Sequence, residues 1–152
     1  LDAVVSFDPV RARQGLYPAI DPGSSRSALL QSNLLNSAHK EIAERAQECL
    51  HRYYRWNLHH AYEAQGLDCL YLDDGKATAQ VILRARRLDR FLTQPFHGTE
   101  RWLCVPGETV SIEDTLRGCQ EILDSEHDDL PENAFYFVGV IDQALEKAKS
   151  LP

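Results

Sequence analysis

The longest stretch with a helical pattern, from Ser37 to Gly66, constrains the fold of this chain most strongly. Its sequence, SAHKEIAERAQECLHRYYRWNLHHAYEAQG, places apolar residues three or four positions apart. This spacing predicts a long amphipathic helix with Ser37 as N-cap and Gly66 as its C-terminal stop. The predicted apolar face consists of Ile42, Ala46, Cys49, Leu50 and Tyr53. Such a face is buried only if other elements pack against it, so we expect a helical bundle.

Three further helices are predicted from the same kind of pattern. They cover 76–94, 111–126 and 140–150. Asp73 or Asp74 caps the first of these, and Pro95 ends it. Ser111 with Asp114 is close to a capping box at the start of the second. The predicted apolar faces are Val81, Ala85, Leu88 and Leu92 in the first, and Ile112, Leu116, Cys119 and Leu123 in the second.

Two segments have no helical pattern. Residues 1–36 are punctuated by prolines and glycines and are interpreted as largely loop. In the second, 97–110, the residues Trp102, Cys104 and Val110 suggest short extended pieces. The sequence therefore predicts a mainly helical fold with little or no sheet.

Composition excludes several classes of protein. The net charge of -7 argues against general binding of nucleic acid, and no apolar run reaches the length of a membrane span. The chain contains no Met, even at position 1, so we interpret it as an excised or mature piece of a longer protein. Cys49, Cys69, Cys104 and Cys119 form no CxxC pair and are predicted to be reduced thiols.

The sequence contains no GxxxxGK[ST], GxSxG or HExxH motif, so we predict no self-sufficient catalytic site and no metal site. The acidic residues Glu126, Asp128 and Asp129 around His127 could hold a cation, but the preferred interpretation is a solvated turn before Pro131. In the stretch RARRLDRFLTQPF, Arg84, Arg86, Arg87 and Arg90 form either a solvated face or an interface for carboxylates or phosphates. Tyr17, Phe96 and Trp102 are either satellite core or faces for a planar ring.

Four phrases, GLYPAIDP (15–22), RARRLDRFLTQPF (84–96), DTLRGCQEIL (114–123) and HDDLPENAFYFVG (127–139), together resemble a known family. In order and spacing they are similar to GIYPAVDP, RARKIQRFLSQPF, DTIxGFxxIL and YDHLPEQAFYMVG of the F-type ATP synthase catalytic beta subunit. The resemblance covers its C-terminal part and implies two regions. Residues 1–30 would be the tail of the central nucleotide-binding domain, and 31–152 the C-terminal helical bundle of the ATP synthase alpha/beta family.

The resemblance implies an adenine pocket. Tyr17 corresponds to the family's stacking tyrosine, and Phe96 to the phenylalanine of the QPF phrase. Thr99 and Trp102 correspond to further pocket positions, where the family commonly has alanine and phenylalanine. The P-loop, the catalytic carboxylate and the magnesium ligands belong to the upstream part of the family, so this piece is expected to be inactive alone. No catalytic residue is assigned within it.

The resemblance also implies a lever that contacts the central stalk. The residues DCLYLDD correspond to the family's acidic motif Asp-Glu-Leu-Ser-Glu-Glu-Asp. Asp68, Leu70 and Asp74 keep the family's residue types, and Asp73 keeps the acidity. Three residues depart from the motif, namely Cys69, Tyr71 and Leu72.

The implied function is that of the full-length parent, an ATP synthase or ATPase that couples ATP synthesis and hydrolysis to ion transport. Its cofactors would be ATP or ADP with magnesium, none bound tightly by this piece. Its partners would be the alpha subunits and the gamma stalk, as a peripheral complex on the cytoplasmic face of a bacterial inner membrane. The alternative is a non-catalytic helical interaction module from a degenerate paralogue. Nucleic-acid binding through 84–90 is a weaker third hypothesis, and we expect the isolated piece to be a monomer or a weak dimer.

Overall fold

A computed structural model describes residues 2–63, 79–98 and 100–151 of the chain. The elements within these ranges are mostly helices, which confirms the mainly helical class. In chain order they are β1 (Ala3–Val4), α1 (Pro9–Arg13), β2 (Arg26–Ser27), α2 (Ser37–Glu63), α3 (Ala79–Phe91), α4 (Glu100–Leu103), α5 (Ile112–Leu123) and α6 (Ile141–Ser150). Two short 3-10 helices lie at Ala28–Gln31 and Glu132–Phe135. No helix in the described part of the chain has the length and apolar character needed to cross a membrane.

The N-terminal segment contains more regular structure than its composition predicts. Strands β1 and β2 pair antiparallel, with Ala3 opposite Ser27. Helix α1 begins after Asp8, whose side chain accepts a hydrogen bond from the amide of Val10. Pro9 occupies the first helical position, where its missing N–H costs nothing. A helix of this length has no sustained periodicity, and for that reason the sequence pattern did not reveal it.

The caps of the long helices agree with prediction at α5 and differ at α2. Ser111 caps α5, because its hydroxyl accepts a hydrogen bond from the amide of Asp114 at 3.0 Å. Ser37, by contrast, lies inside α2. Its predicted role as N-cap is wrong, since the side chain of Asn36 accepts from the amide of His39 at 2.7 Å. The predicted caps Asp73 and Asp74, and the predicted stop Gly66, lie outside the described residues.

Helix α3 ends at Phe91, before Pro95 is reached. The hydroxyl of Thr93 donates to the carbonyl of Arg90 at 2.5 Å, which satisfies one of the free carbonyls in the last turn. The chain then leaves the helix without regular secondary structure from Thr93 to Phe96. This change of direction positions Phe96 outside the bundle's helices.

The core lies between α2, α3, α5, α6 and the Glu132–Phe135 turn. Its buried members are Ile42, Leu50, Leu88, Phe91, Cys119, Ile122, Ala134, Phe135, Val138, Ile141 and Ala144. Four of them, Ile42, Leu50, Leu88 and Cys119, fall on the apolar faces predicted for the helices. Burial raises the pKa of the Cys119 thiol to about 12, so it stays protonated at neutral pH. Within the described residues, Cys49, Cys104 and Cys119 are free thiols.

Two details of the predicted apolar faces are wrong, and so is one predicted extended segment. Ile112 is 64% exposed, because it occupies the first position of α5, where the helix has not yet reached its partners. Tyr54, rather than Tyr53, packs against the core. The segment predicted to be extended around Trp102 instead forms the short helix α4, in which the backbone amide of Cys104 donates to the carbonyl of Glu100 at 2.9 Å.

Helices α3 and α5 approach most closely where Phe91 faces Gly118. A Cβ atom on Gly118 would lie 2.2 Å from Cζ and 2.6 Å from Cε1 of Phe91. Glycine costs helix stability, about 1 kcal/mol relative to alanine, yet it occurs here in the middle of α5. The contact with the Phe91 ring therefore requires the absence of a side chain.

We expect Gly118→Ala to lower the free energy of unfolding by about 1–3 kcal/mol, because overpacking outweighs the gain in helix propensity. Urea denaturation measures this change. Gly118→Ala combined with Phe91→Leu is the matched control, in which the smaller side chain accommodates the methyl group. The close-contact account is wrong if Gly118→Ala stabilises the chain.

Candidate functional site

The segment that carries Tyr17 is fixed against the bundle by backbone contacts. Gly15, with a φ of 75°, turns the chain after α1 into this segment. The hydroxyl of Tyr136 donates to the carbonyl of Gly15 at 2.6 Å. The amide of Gln94 donates to the carbonyl of Tyr17 at 3.0 Å. The Tyr17 segment therefore lies directly beside the segment that carries Phe96.

The Phe96 segment also contacts the loop that follows α4. The carbonyl of Pro95 accepts a hydrogen bond from the amide of Glu108 at 2.9 Å. The carboxylate of Glu100 in turn accepts from the amide of Gly107 at 2.8 Å, and this contact, followed by that with His97, lowers the pKa of Glu100. The first of these bonds ties the loop after α4 to the segment 93–96, and the second ties the same loop to α4. Two of the predicted pocket residues, Tyr17 and Phe96, are thus described, and both are half-buried.

The other predicted site residues fall outside what the structure describes. Thr99 is not among the described residues, and for Trp102 only the backbone, in α4, is described. The whole predicted lever lies in the gap between 63 and 79. Its residues are Asp68, Cys69, Leu70, Tyr71, Leu72, Asp73 and Asp74. The adenine-pocket and lever assignments therefore stay predictions.

The arginines of α3 contact acidic groups and carbonyls of the same chain. Arg84 forms a two-point ion pair with the carboxylate of Asp128, with Nε to Oδ1 at 3.2 Å and Nη2 to Oδ2 at 2.5 Å. Arg87 is buried, and it donates to the carbonyls of Leu130 at 2.9 Å and Asp128 at 2.6 Å. The hydrogen bond from Arg84, and then the charges of Arg84 and Arg87, hold the pKa of Asp128 below its usual range.

Arg86 and Arg90 share a single carboxylate. Their Nε atoms lie 3.1 Å and 3.3 Å from the two oxygens of Glu132. The repulsion expected for two like charges one turn apart is therefore offset by a common partner. The arginine-rich face of α3 holds the 127–139 segment onto the bundle, and its charge is largely neutralised within the chain.

A buried polar cluster, which sequence reasoning missed, joins α1 to the bundle. It consists of Arg11, Tyr54 and Asp89, and both Arg11 and Asp89 are 6% exposed. Nη1 of Arg11 lies 2.6 Å from Oδ1 of Asp89 and 2.7 Å from the hydroxyl of Tyr54. Tyr54 also donates to Oδ1 of Asp89 at 2.7 Å. Burial, and then the nearby Asp89 charge, raises the pKa of Tyr54, so the hydroxyl keeps its proton.

The sequence did contain a signal for this cluster. Asp89 lies four residues after Ala85 and next to Leu88, on the apolar side of α3. An acidic residue at such a position is buried only if it has a partner.

A polar cleft of about 660 Å³ opens beside the cluster, between α1, α2 and α3. Tyr53 and Tyr136 contribute rings to its wall, and Arg86 and Arg90 contribute guanidinium groups. The ion pairs with Glu132 already compensate these two charges. Chemically, the cleft offers aromatic faces and hydrogen-bond donors, without a nucleophile activated by a neighbouring base among its described lining residues.

A scan against protein-family models finds none that matches this chain. The resemblance to the ATP synthase beta subunit therefore stays a prediction that depends on the four sequence phrases.

We expect Asp89→Asn to lower the free energy of unfolding by about 3–5 kcal/mol, because it leaves the buried charge of Arg11 without a counterion. Urea denaturation at neutral pH measures the change. The matched control is the triple variant Arg11→Met, Tyr54→Phe, Asp89→Leu, which removes all the polar groups at similar volume. We expect it to unfold within about 2 kcal/mol of the wild type. Equal losses in both variants would contradict an energetically coupled cluster.

Proposed function

We propose that this chain is the C-terminal part of the catalytic beta subunit of a rotary F-type ATP synthase. It would contribute one wall of the adenine pocket and the lever that contacts the central stalk. The structural observation that carries the proposal is the hydrogen bond from the amide of Gln94 to the carbonyl of Tyr17. This bond joins two segments far apart in sequence, GLYPAIDP and TQPF, that each carry an aromatic residue assigned to the pocket by resemblance.

The proposed pocket would act on the base of the nucleotide. Aromatic faces bind a purine ring by stacking, which contributes about 1–3 kcal/mol for each base. Tyr17 and Phe96 are aromatic residues on neighbouring segments, which supports a role for them in binding an adenine ring. The sequence has no GxxxxGK[ST] phosphate loop, so the triphosphate and its magnesium ion would be held by the upstream part of the parent enzyme. The chain alone would therefore not hydrolyse ATP.

The same contacts would connect nucleotide binding to motion of the bundle. The Tyr17 segment is joined to the helices through the Gln94 amide, the Tyr136 hydroxyl and the Arg11–Asp89 ion pair. A displacement of this segment would then carry α2 and α3 with it as one packed body. The predicted lever, 68–74, connects these two helices in sequence, and it would pass that displacement to the gamma subunit. In the assembled parent, alpha subunits would flank the chain on a membrane-bound rotor.

A hybrid enzyme tests the proposal. Residues 1–152 replace the matching C-terminal segment of a bacterial beta subunit, and the hybrid is reconstituted with alpha and gamma subunits. We expect magnesium-dependent ATP hydrolysis. Tyr17→Ala should raise the KM for ATP about 5- to 150-fold, since about 1–3 kcal/mol of stacking is lost. Tyr17→Phe is the matched control, and it should stay close to the wild-type KM because it keeps the ring.

Two outcomes would contradict the proposal. An unchanged KM in the Tyr17→Ala hybrid would reject the pocket assignment. A hybrid that assembles but does not turn over ATP would favour the alternative, a helical interaction module from a paralogue that has lost activity.

A further inference from the structure

Three side chains with metal-binding atoms converge at the C-terminal end of α5. They are Glu121, Glu126 and His127, and one ligand atom from each lies within 4.8 Å of the others. Nε2 of His127 is 2.8 Å from Oε2 of Glu121. The side chain of His127 is 12% exposed and that of Glu121 is 22% exposed, so both are held in a half-enclosed position. The preferred interpretation of this segment from the sequence was a solvated turn, because the sequence does not reveal that Glu121 lies beside His127.

The backbone after α5 explains why these side chains meet. Ser125 has a φ of 72°, and its amide donates to the carbonyl of Ile122 at 3.2 Å. The amide of Glu126 donates to the carbonyl of Glu121 at 3.1 Å. These two bonds define a Schellman motif with serine in the left-handed position. The motif folds Glu126 and His127 back toward Glu121.

The electrostatics of this helix end favour a cation. The last turn of α5 contains no basic residue to compensate the partial negative charge of its free carbonyls. The neighbouring carboxylate of Asp124 is paired with Arg45 at 2.6 Å. Among the described residues, Arg117 is the cation near Glu121, and its Nη1 lies 3.9 Å from Oε1, the oxygen that does not face His127.

The ligand set matches one class of metal ion. Imidazole nitrogen suits zinc and similar transition metals, whereas magnesium and calcium prefer oxygen alone. Ligand atoms around tetrahedral zinc, with bonds of about 2.0–2.2 Å, lie roughly 3.3 Å apart. The His127 and Glu121 atoms, 2.8 Å apart, are slightly closer than this because they share a hydrogen bond. A metal ion would displace the shared proton and separate them slightly, and a rotation of the exposed Glu126 side chain would bring the third ligand to the ion.

From these observations we propose that Glu121, Glu126 and His127 form a binding site for a divalent transition-metal ion, with Zn²⁺ as the best match. Three protein ligands leave a fourth position for water. The site lies on α5 and the loop that follows it, and it does not depend on the function proposed above.

Calorimetric titration of the 152-residue chain with ZnCl₂ tests this site. The background carries Cys69→Ser and Cys104→Ser, since thiolates bind zinc and Cys104 is exposed. We expect saturable binding of one ion, and CoCl₂ should give the visible absorption of a low-coordinate cobalt site. His127→Ala and Glu121→Gln should each weaken binding at least tenfold. Glu126→Gln should also weaken zinc binding. Because this side chain is exposed, the substitution tests the ligand without a risk to folding.

His97→Ala is the matched control. Its Nδ1 lies 3.1 Å from the carboxylate of Glu100, another histidine–glutamate pair, but no third ligand is found beside it among the described residues. We expect this variant to bind zinc as the parent does, with circular dichroism confirming that every variant keeps its helices. The proposal is overturned if no saturable binding occurs, if His127→Ala and Glu121→Gln bind as the parent does, or if Glu126→Gln has no effect.

Discussion

A buried ion pair between Arg11 and Asp89 joins parts of the chain that are 78 residues apart. Both groups lose most of their contact with water, and the cost of that loss is offset only if the two charges stay together. Tyr54 adds a hydroxyl that bonds to both, so α1, α2 and α3 meet at one polar point. The N-terminal segment contributes none of the residues that form the apolar core, so this ion pair and the hydrogen bonds to Gly15 and Tyr17 hold it on the bundle.

This attachment sets where the N-terminal segment lies on the bundle. The core of α2, α3, α5 and α6 buries apolar side chains, and the arginines of α3 hold the 127–139 segment by ion pairs with Asp128 and Glu132. The Tyr17 segment then lies across the end of α3, where Gln94 bonds to its backbone. If the chain acts as part of a rotary ATPase, these contacts are the route by which nucleotide occupancy would move the helices.

Sequence periodicity predicted the long helices well, since the spacing of apolar residues along one face is a local property of the sequence. Ser111 was identified as a cap for the same reason, because a cap depends on residues three positions apart. The Arg11–Asp89 pair and the Glu121–His127 contact were missed, since both depend on how distant or folded-back segments pack. Asn36 was missed as the cap of α2 because Ser37, the residue beside it, has the same capping chemistry.

Native-state hydrogen exchange at the Gln94 amide tests the central claim, that the Tyr17 segment is fixed on the bundle. The account predicts that this amide is protected about as strongly as that of Leu92, which bonds to Leu88 at the end of α3. Exchange of the Gln94 amide at the rate of an unstructured chain, while the Leu92 amide stays protected, would show that the segment detaches freely. That result would contradict both the attachment and the route of motion that depends on it.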